Sequence, residues 1–203
     1  DKKDWAYRVL ANMKSPEDLR QLVQKAKNGD SAAFSNLYEH YLTPIFRFIF
    51  FRVRTHEDAE DLTQHVFVKA WSALPEFGSS PPAGGSGSFS AWLYRIARNT
   101  TIDYWRKKKP LSLDPSSSAF QNRQDNTLDP LSAADQKEEA EHIRDALHIL
   151  SEDHQTILTL KFIEDLSNKE IARITGKTEG AIRQIQSRAL RALRQHLQET
   201  KPK

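Results

Sequence analysis

The chain has 203 residues, 38% of them hydrophobic and 28% charged, with a formal net charge of +3. That length suits one large domain or two small ones. It has no cysteine, which excludes disulfides, thiolate zinc ligands and cysteine nucleophiles and suits a reducing compartment. No apolar run reaches transmembrane length, because Arg47 and Arg52 interrupt the nearest one, and nothing reads as a signal peptide.

In chain order, residues 1–16 are polar with Trp5 and Tyr7 and read as a short helix or an arm. Residues 17–27 form a helix pattern through Leu19, Leu22, Val23 and Ala26, ended by Asn28-Gly29-Asp30. The spacing predicts a second helix over 31–54, with Phe34, Leu37, Tyr38, Tyr41, Ile45, Phe46, Ile49 and Val53 buried and Pro44 kinking or dividing it. Phe48, Phe50 and Phe51 make it apolar nearly all round, which places it centrally in a bundle. A third helix over 56–74 turns Ala59, Leu62, Val66, Ala70, Trp71 and Leu74 inward. It leaves Asp58, Asp61, Gln64, His65, Val68 and Lys69 outside, and Val68 there hints at a partner surface.

Residues 78–88, GSSPPAGGSGS, are a low-complexity loop that no core can use. They lead to the stretch 89–109, FSAWLYRIARNTTIDYWRKKK, which reads as a helix with Ser90 as N-cap and Pro110 as its stop. Leu93, Ile96, Ala97, Thr100 and Tyr104 form its core face. A second face carries Trp92, Arg95, Asn99, Asp103 and Arg106, and Arg106, Lys107, Lys108 and Lys109 close the helix with a basic run. Aromatic rings stack on unpaired bases, guanidinium and ammonium groups neutralise phosphates, and Asn or Asp can hydrogen-bond base edges. An amphipathic core helix with a basic rim has the same pattern.

Residues 111–134, rich in Ser, Pro, Asp and Asn and without period, read as an interdomain linker. A compact helical pattern follows. Residues 135–150 carry Ala140, Ile143, Leu147 and Leu150 inward, and Ser151 caps a helix with Ile157, Leu160 and Phe162 apolar. Ser167 to Glu170 form a capping box that opens a short helix with Ile171 and Ile174. Gly176 then suits a left-handed turn, Ala172 allows close helix approach, and Thr178 caps a long helix to about residue 198 with Ile182, Ile185, Ala189, Leu190, Leu193 and Leu197 inside. A short helix, a tight turn and a longer basic helix make a helix-turn-helix. The outward face, with Arg183, Gln184, Ser187, Arg188 and Arg191, can reach guanine, adenine and phosphate in a major groove, or serve as a solvated or protein-binding face.

Other chemistry finds no support. His142, His148 and His154 recur every six residues and scatter around a helix, so no metal site is expected. Asp58 and Asp61 lack a partnered base, a nucleophile or a phosphate-binding loop, so no catalytic constellation and no cofactor are expected.

The two blocks together resemble a bacterial RNA polymerase sigma factor of the extracytoplasmic-function (ECF) type, with regions 2 and 4 only. Region 2 is matched from AAFSNLYEHYLTPIFRF through HEDAEDLTQHVFVKAW to FSAWLYRIARNTTIDYWRKKK. Region 4 is matched from ALHILSEDHQTILTLKFIEDLSNKEIA to TEGAIRQIQSRALRALRQHL. The resemblance implies an all-α fold of two small helical domains joined by a flexible linker, the second containing the helix-turn-helix. The implied organisation is an arm at 1–18, region 2 at 19–109, the linker at 110–134 and region 4 at 135–203. It implies that Asp58, Asp61, Leu62, Gln64, Val66, Phe67 and Lys69 dock on RNA polymerase core, whose β′ clamp and β flap such factors contact. Trp92, Arg95, Asn99, Asp103, Arg106 and Lys107 would hold the −10 element as an unpaired strand. Lys177, Thr178, Arg183, Gln184, Ser187, Arg188 and Arg191 would read the −35 element as duplex. It further implies a cytoplasmic protein, not an enzyme, bound by an anti-sigma factor and taking no small-molecule substrate. The loop at 78–88 is longer and richer in Gly and Pro than the family usually shows before the −10 helix. The competing readings are a two-domain helix-turn-helix regulator acting without polymerase core, an enzyme using Asp58 and Asp61, and a protein-interaction module.

Overall fold

The computed structural model of the chain describes residues 15–78, 88–108 and 134–199. The expected arm up to residue 14, the loop over 79–87, Lys109 and the linker to residue 133 lie outside these residues, as does the side chain of Leu197. The described residues form helices joined by turns and short irregular connections, with no strand among them.

The N-terminal domain begins with α1 (Pro16–Lys27). Ser15 and Asp18 form a reciprocal capping box, and Pro16 takes the first helical position, where its missing N–H costs nothing. Gly29, at φ 91°, turns the chain into α2 (Ser31–Phe50), which Asp30 caps at 3.0 Å from the Ala33 N–H. Pro44 neither divides nor ends α2, and the helix stops at Phe50 rather than residue 54. Leu37, Tyr41, Ile45, Phe46, Phe48, Ile49 and Phe50 are buried around Pro44, so packing holds the helix through the lost main-chain bond. α3 (His56–Ala73) runs into a 3₁₀ turn (Leu74–Glu76). α4 (Phe89–Lys108) packs against both α3 and α2, so α2 is the central helix of the bundle.

The C-terminal domain comprises α5 (Ala134–His148), α6 (Glu152–Leu158), a π-helical turn (Thr159–Ile163), α7 (Asn168–Thr175) and α8 (Glu179–Glu199). Leu147, Leu150, Ile157, Leu160, Ile171, Ile174, Ile182 and Ala189 supply its core. The Ser167–Glu170 capping box is present, and Gly176 closes α7 in the left-handed conformation at φ 72°. The Thr178 hydroxyl accepts from the Ala181 N–H at 3.2 Å at the start of α8.

Three side chains expected inside lie at the margins of their stripes. Trp71 is 38%, Ile143 40% and Leu190 43% exposed. Trp71 packs its ring on Phe34, 4.8 Å away, at the rim of the bundle rather than beneath it. The two domains touch: α4 packs on α7, and α2 meets the π turn. Arg52, which follows α2, is fully buried beside Glu152 of α6.

Candidate functional site

Three helix surfaces carry the candidate residues. On α3, Thr55 caps the helix by accepting from the Asp58 N–H at 3.0 Å, which fixes Asp58 in the first turn. The Asp58 carboxylate then accepts from the Thr55 hydroxyl at 2.7 Å, the Tyr104 hydroxyl at 2.6 Å and Lys108 Nζ at 3.0 Å. Burial alone would raise its pKa, but these hydrogen bonds outweigh that and hold the carboxyl below its usual range. Burial and the Asp58 bond push Tyr104 up to about 12, so its hydroxyl stays a donor. Asp58 therefore fastens α3 to α4 and is not a free surface carboxylate.

Asp61 and Gln64 are exposed, Leu62 is half-buried, and Lys69 is exposed with Nζ 3.5 Å from the Thr100 hydroxyl. Val66 requires correction as a contact residue: it is 0% exposed on the inner side of α3 and can only position the helix. Phe67, at 4% exposure, contributes the floor of a groove between α2 and α3. Phe34, Tyr38, Val68 and Trp71 line it together with Ser31, Ser35 and Gln64, and Val68 is 65% exposed. An apolar groove with Gln64 at its edge can seat an amphipathic helix of a partner.

On α4 the N-cap is Ser88, whose hydroxyl accepts from the Ala91 N–H at 3.2 Å; Ser90 lies within the first turn. Leu93, Ala97 and Thr100 are buried as expected, and Ile96 and Tyr104 are half-buried. Trp92 is half-buried, its ring 5.0 Å from Phe77 and 5.5 Å from Phe89. Arg95 donates from Nη2 to the Arg173 carbonyl at 2.8 Å, and Asp103 pairs with Arg106 at 2.9 Å. Asn99, Arg106 and Lys107 are exposed. The face thus exists, but its N-terminal half is occupied by the chain's own residues.

On α8, Arg183, Gln184, Ser187, Arg188 and Arg191 are all exposed on one side, opposite the buried Ile182 and Ala189. Their spacing by three and four aligns them along the helix. Lys177 is half-buried, with Nζ 3.0 Å from Asp153, and is less available than the other six residues of that set. The side chain of Thr178 is exposed although its oxygen serves as the cap.

Reasoning from the sequence missed the residues between the domains. Glu164, 2% exposed at its side chain, accepts from Arg47 Nε at 3.2 Å, Arg47 Nη2 at 3.1 Å and the Tyr94 hydroxyl at 2.9 Å. Burial raises the Glu164 pKa despite Arg47, and burial together with Glu164 raises that of Tyr94, which keeps its proton to donate. Arg47 and Arg52, two charges inside an otherwise apolar stretch, were the visible signal. No cluster of three or more metal-ligating side chains occurs among the described residues, and no described helix is long and apolar enough to cross a membrane.

Comparison with known proteins gives these surfaces a family. The model for Sigma-70 region 2 matches residues 37–110 and that for Sigma-70, region 4 matches residues 146–195. The ECF RNA polymerase sigma factor BldN of Streptomyces coelicolor is 34% identical over 86% of this chain, which spans 64% of BldN's length. The ECF RNA polymerase sigma-E factor of Haemophilus influenzae is 31% identical over 84% of this chain and 89% of that protein. Among solved structures, the sigma factor RpoE in complex with the anti-sigma factor NepR from Bartonella quintana shares the fold, with a TM-score of 0.58 over 83% of this chain and 98% of that one at 24% identity. With both region models matched and the relatives aligned across both domains, the chain belongs to the ECF group of RNA polymerase sigma factors.

Proposed function

We propose that this chain binds RNA polymerase core, recognises the −35 and −10 promoter elements and promotes promoter melting. The observation that carries this reading is the coincidence of the family segments with the exposed polar faces: α3 and α4 within 37–110, α7 and most of α8 within 146–195. Asp61, Gln64 and Lys69, with the groove floored by Phe67, form the polymerase-docking surface. Arg183, Gln184, Ser187, Arg188 and Arg191 read duplex DNA at −35, with Thr178 beside them. α4 holds the unpaired −10 strand through Asn99, Arg106 and Lys107, joined by Arg95 when it is free.

The protein itself performs no bond-making step in this reading and needs no cofactor or small-molecule substrate. It favours opened over closed promoter because unpaired bases gain contacts that paired bases cannot. Base–aromatic stacking contributes roughly 1–3 kcal/mol per base, comparable with the cost of unstacking a step. Such an activity places the protein in the cytoplasm with the polymerase. An anti-sigma factor, the partner named for RpoE, is the regulator to expect here as well. A regulator acting without polymerase core is not favoured, because both matched segments belong to polymerase sigma factors.

Run-off transcription with core polymerase tests the proposal, with a specific transcript expected only when the chain is added. Asp61→Arg should abolish both the transcript and co-elution with core enzyme without moving the melting temperature, because Asp61 is exposed and off the core. DNA binding without any co-elution of the wild type with core polymerase would favour the independent regulator.

A further inference from the structure

The two helices of the helix-turn-helix are tied at both ends of α7. At the turn, the Gly176 N–H donates to the Ala172 carbonyl at 2.8 Å, and the Thr178 hydroxyl caps α8. Ile171 and Ile174 of α7 and Ile182 of α8 are buried. At the opposite end of α7, Gln186 Nε2 donates to Asn168 Oδ1 at 2.9 Å, across 18 positions of sequence. Asn168 is the first residue of α7, so this bridge lies as far from the turn as the helix allows. The Ser167–Glu170 capping box fixes the backbone from which Asn168 projects. Both amide side chains are half-buried. On α8, Gln186 stands three residues after Arg183 and one before Ser187, at the margin of the exposed polar face.

We infer that the Asn168–Gln186 bridge is a positioning device that gives α8 its sequence discrimination on duplex DNA. The inference rests on α8 reading duplex, as proposed above. In a helix-turn-helix the first helix crosses the DNA backbone while the second enters the major groove. The angle between α7 and α8 therefore decides which base edges Arg183, Gln184 and Arg188 meet once α7 is seated. Apolar packing of the three isoleucines resists separation of the helices but has no direction. A hydrogen bond holds only over a few tenths of an ångström and a narrow range of angles. Placed far from the turn, it converts a hinge held at one end into a pair of helices fixed at two points. Neither amide has to touch DNA for this. Without the bridge a smaller fraction of chains has the reading arrangement, and affinity for the preferred duplex falls with that fraction. Binding to arbitrary duplex comes from phosphate neutralisation, which carries no sequence information and does not need the arrangement.

The test uses the full-length chain. Wild type enriches preferred duplexes from a random pool, and anisotropy then compares an enriched duplex with its scrambled counterpart. Asn168→Leu and Gln186→Met keep close to the shape of the amides and remove the bond, and thermal melts establish that each variant folds. Each should bind the enriched duplex about three- to tenfold more weakly, the range set by the net contribution of one hydrogen bond, and scrambled duplex as wild type does. The double variant should lose no more than either single one, because one bond can be lost only once. Asn168→Asp keeps the acceptor for Gln186 Nε2 and should keep the wild-type ratio between the two duplexes, even where its added charge weakens both. Arg183→Ala serves as the control for α8 and should lose affinity for the enriched duplex. If it does while Asn168→Leu and Gln186→Met match wild type, the bridge has no positioning role. Losses that add in the double variant, equal losses on both duplexes, or a ratio lost in Asn168→Asp overturn the inference as well. A pool from which wild type enriches nothing, or Arg183→Ala binding as wild type does, overturns instead the reading of α8.

Discussion

Replacing Arg52 by Met is expected to stabilise the protein. The Arg52 side chain is fully buried, and none of its three guanidinium nitrogens makes a hydrogen bond within the protein. Its nearest counter-charge is the Glu152 carboxylate at 3.8 Å, and the Phe48 ring lies 5.0 Å from its central carbon. Burial lowers its pKa from 12.5 to about 10, with Glu152 opposing the fall and Arg98 adding to it. At about 1.4 kcal/mol per pH unit, that difference disfavours the buried charge by about 3 kcal/mol. Met fills most of the same volume without a charge, and forfeits a cation–π contact that contributes about 0.5–2 kcal/mol. The balance is a gain of about 1–2 kcal/mol, in line with the behaviour of buried ions replaced by apolar groups. For a chain of this size that is a rise in melting temperature of roughly 4 °C. Arg52→Ala is expected to lie about 2–5 kcal/mol below Arg52→Met, and so at or below wild type, because it leaves a cavity. Calorimetry on the three proteins decides. If Arg52→Met melts below wild type as Arg52→Ala does, the guanidinium makes a net favourable contribution and the reasoning from desolvation is wrong.

Asp58→Asn should lower stability by about 1–2 kcal/mol, because it removes a charged acceptor from the Thr55, Tyr104 and Lys108 donors. Since the folded-state pKa of Asp58 is depressed, its contribution is present above the ordinary value of 3.8 and is lost as pH falls through the lower folded value. Urea unfolding at neutral and at acid pH should show the variant and wild type converging at the acid end; a gap that stays constant would sink the assignment. Trp92→Ala should lower the melting point through loss of the Phe77 and Phe89 contacts, and Trp92→Phe should recover most of it. Equal melting of Trp92→Ala and wild type would return the ring to a purely strand-stacking role. Arg183→Ala and Arg188→Ala should each weaken promoter duplex binding by about 1–3 kcal/mol more than scrambled duplex, as read by gel shift. Equal losses on both would reduce these side chains to phosphate contacts.

The local features were legible because they rest on neighbours in the chain. The Ser167 box and the Gly176 turn follow from side-chain oxygens and a missing Cβ acting within four residues. The inward stripe of α8 follows from helical period, and its polar face follows by exclusion. Period alone does not say how far a stripe is covered, which is why Trp71 and Leu190 were placed too deep. Nor does it separate Ser88 from Ser90 as a cap, since both precede apolar residues. Val66 was drawn to the docking surface by resemblance, while its own spacing with Ala59 and Ala70 already put it inside. The engagement of Asp58 by Tyr104 and of Glu164 by Arg47 and Tyr94 joins residues 46, 117 and 70 positions apart. No pattern within one helix encodes such pairs. An unexpected charge in an apolar run, Arg47 or Arg52, was the single trace of them.

The Phe77–Trp92–Phe89 cluster bears on how the family can vary this chain. Phe77 and Phe89 stand at either end of the Gly- and Pro-rich segment, and their rings are 5.8 Å apart. The Phe77–Phe89 contact therefore brings the two ends together directly. Lengthening a connection whose ends are already pinned costs only the logarithm of its length, about 0.6 kcal/mol for each doubling. Segment length and helix geometry are thus thermodynamically separate. Insertions or deletions at 79–87 can be accepted one residue at a time, and a reporter peptide placed there should leave α3 and α4 in register.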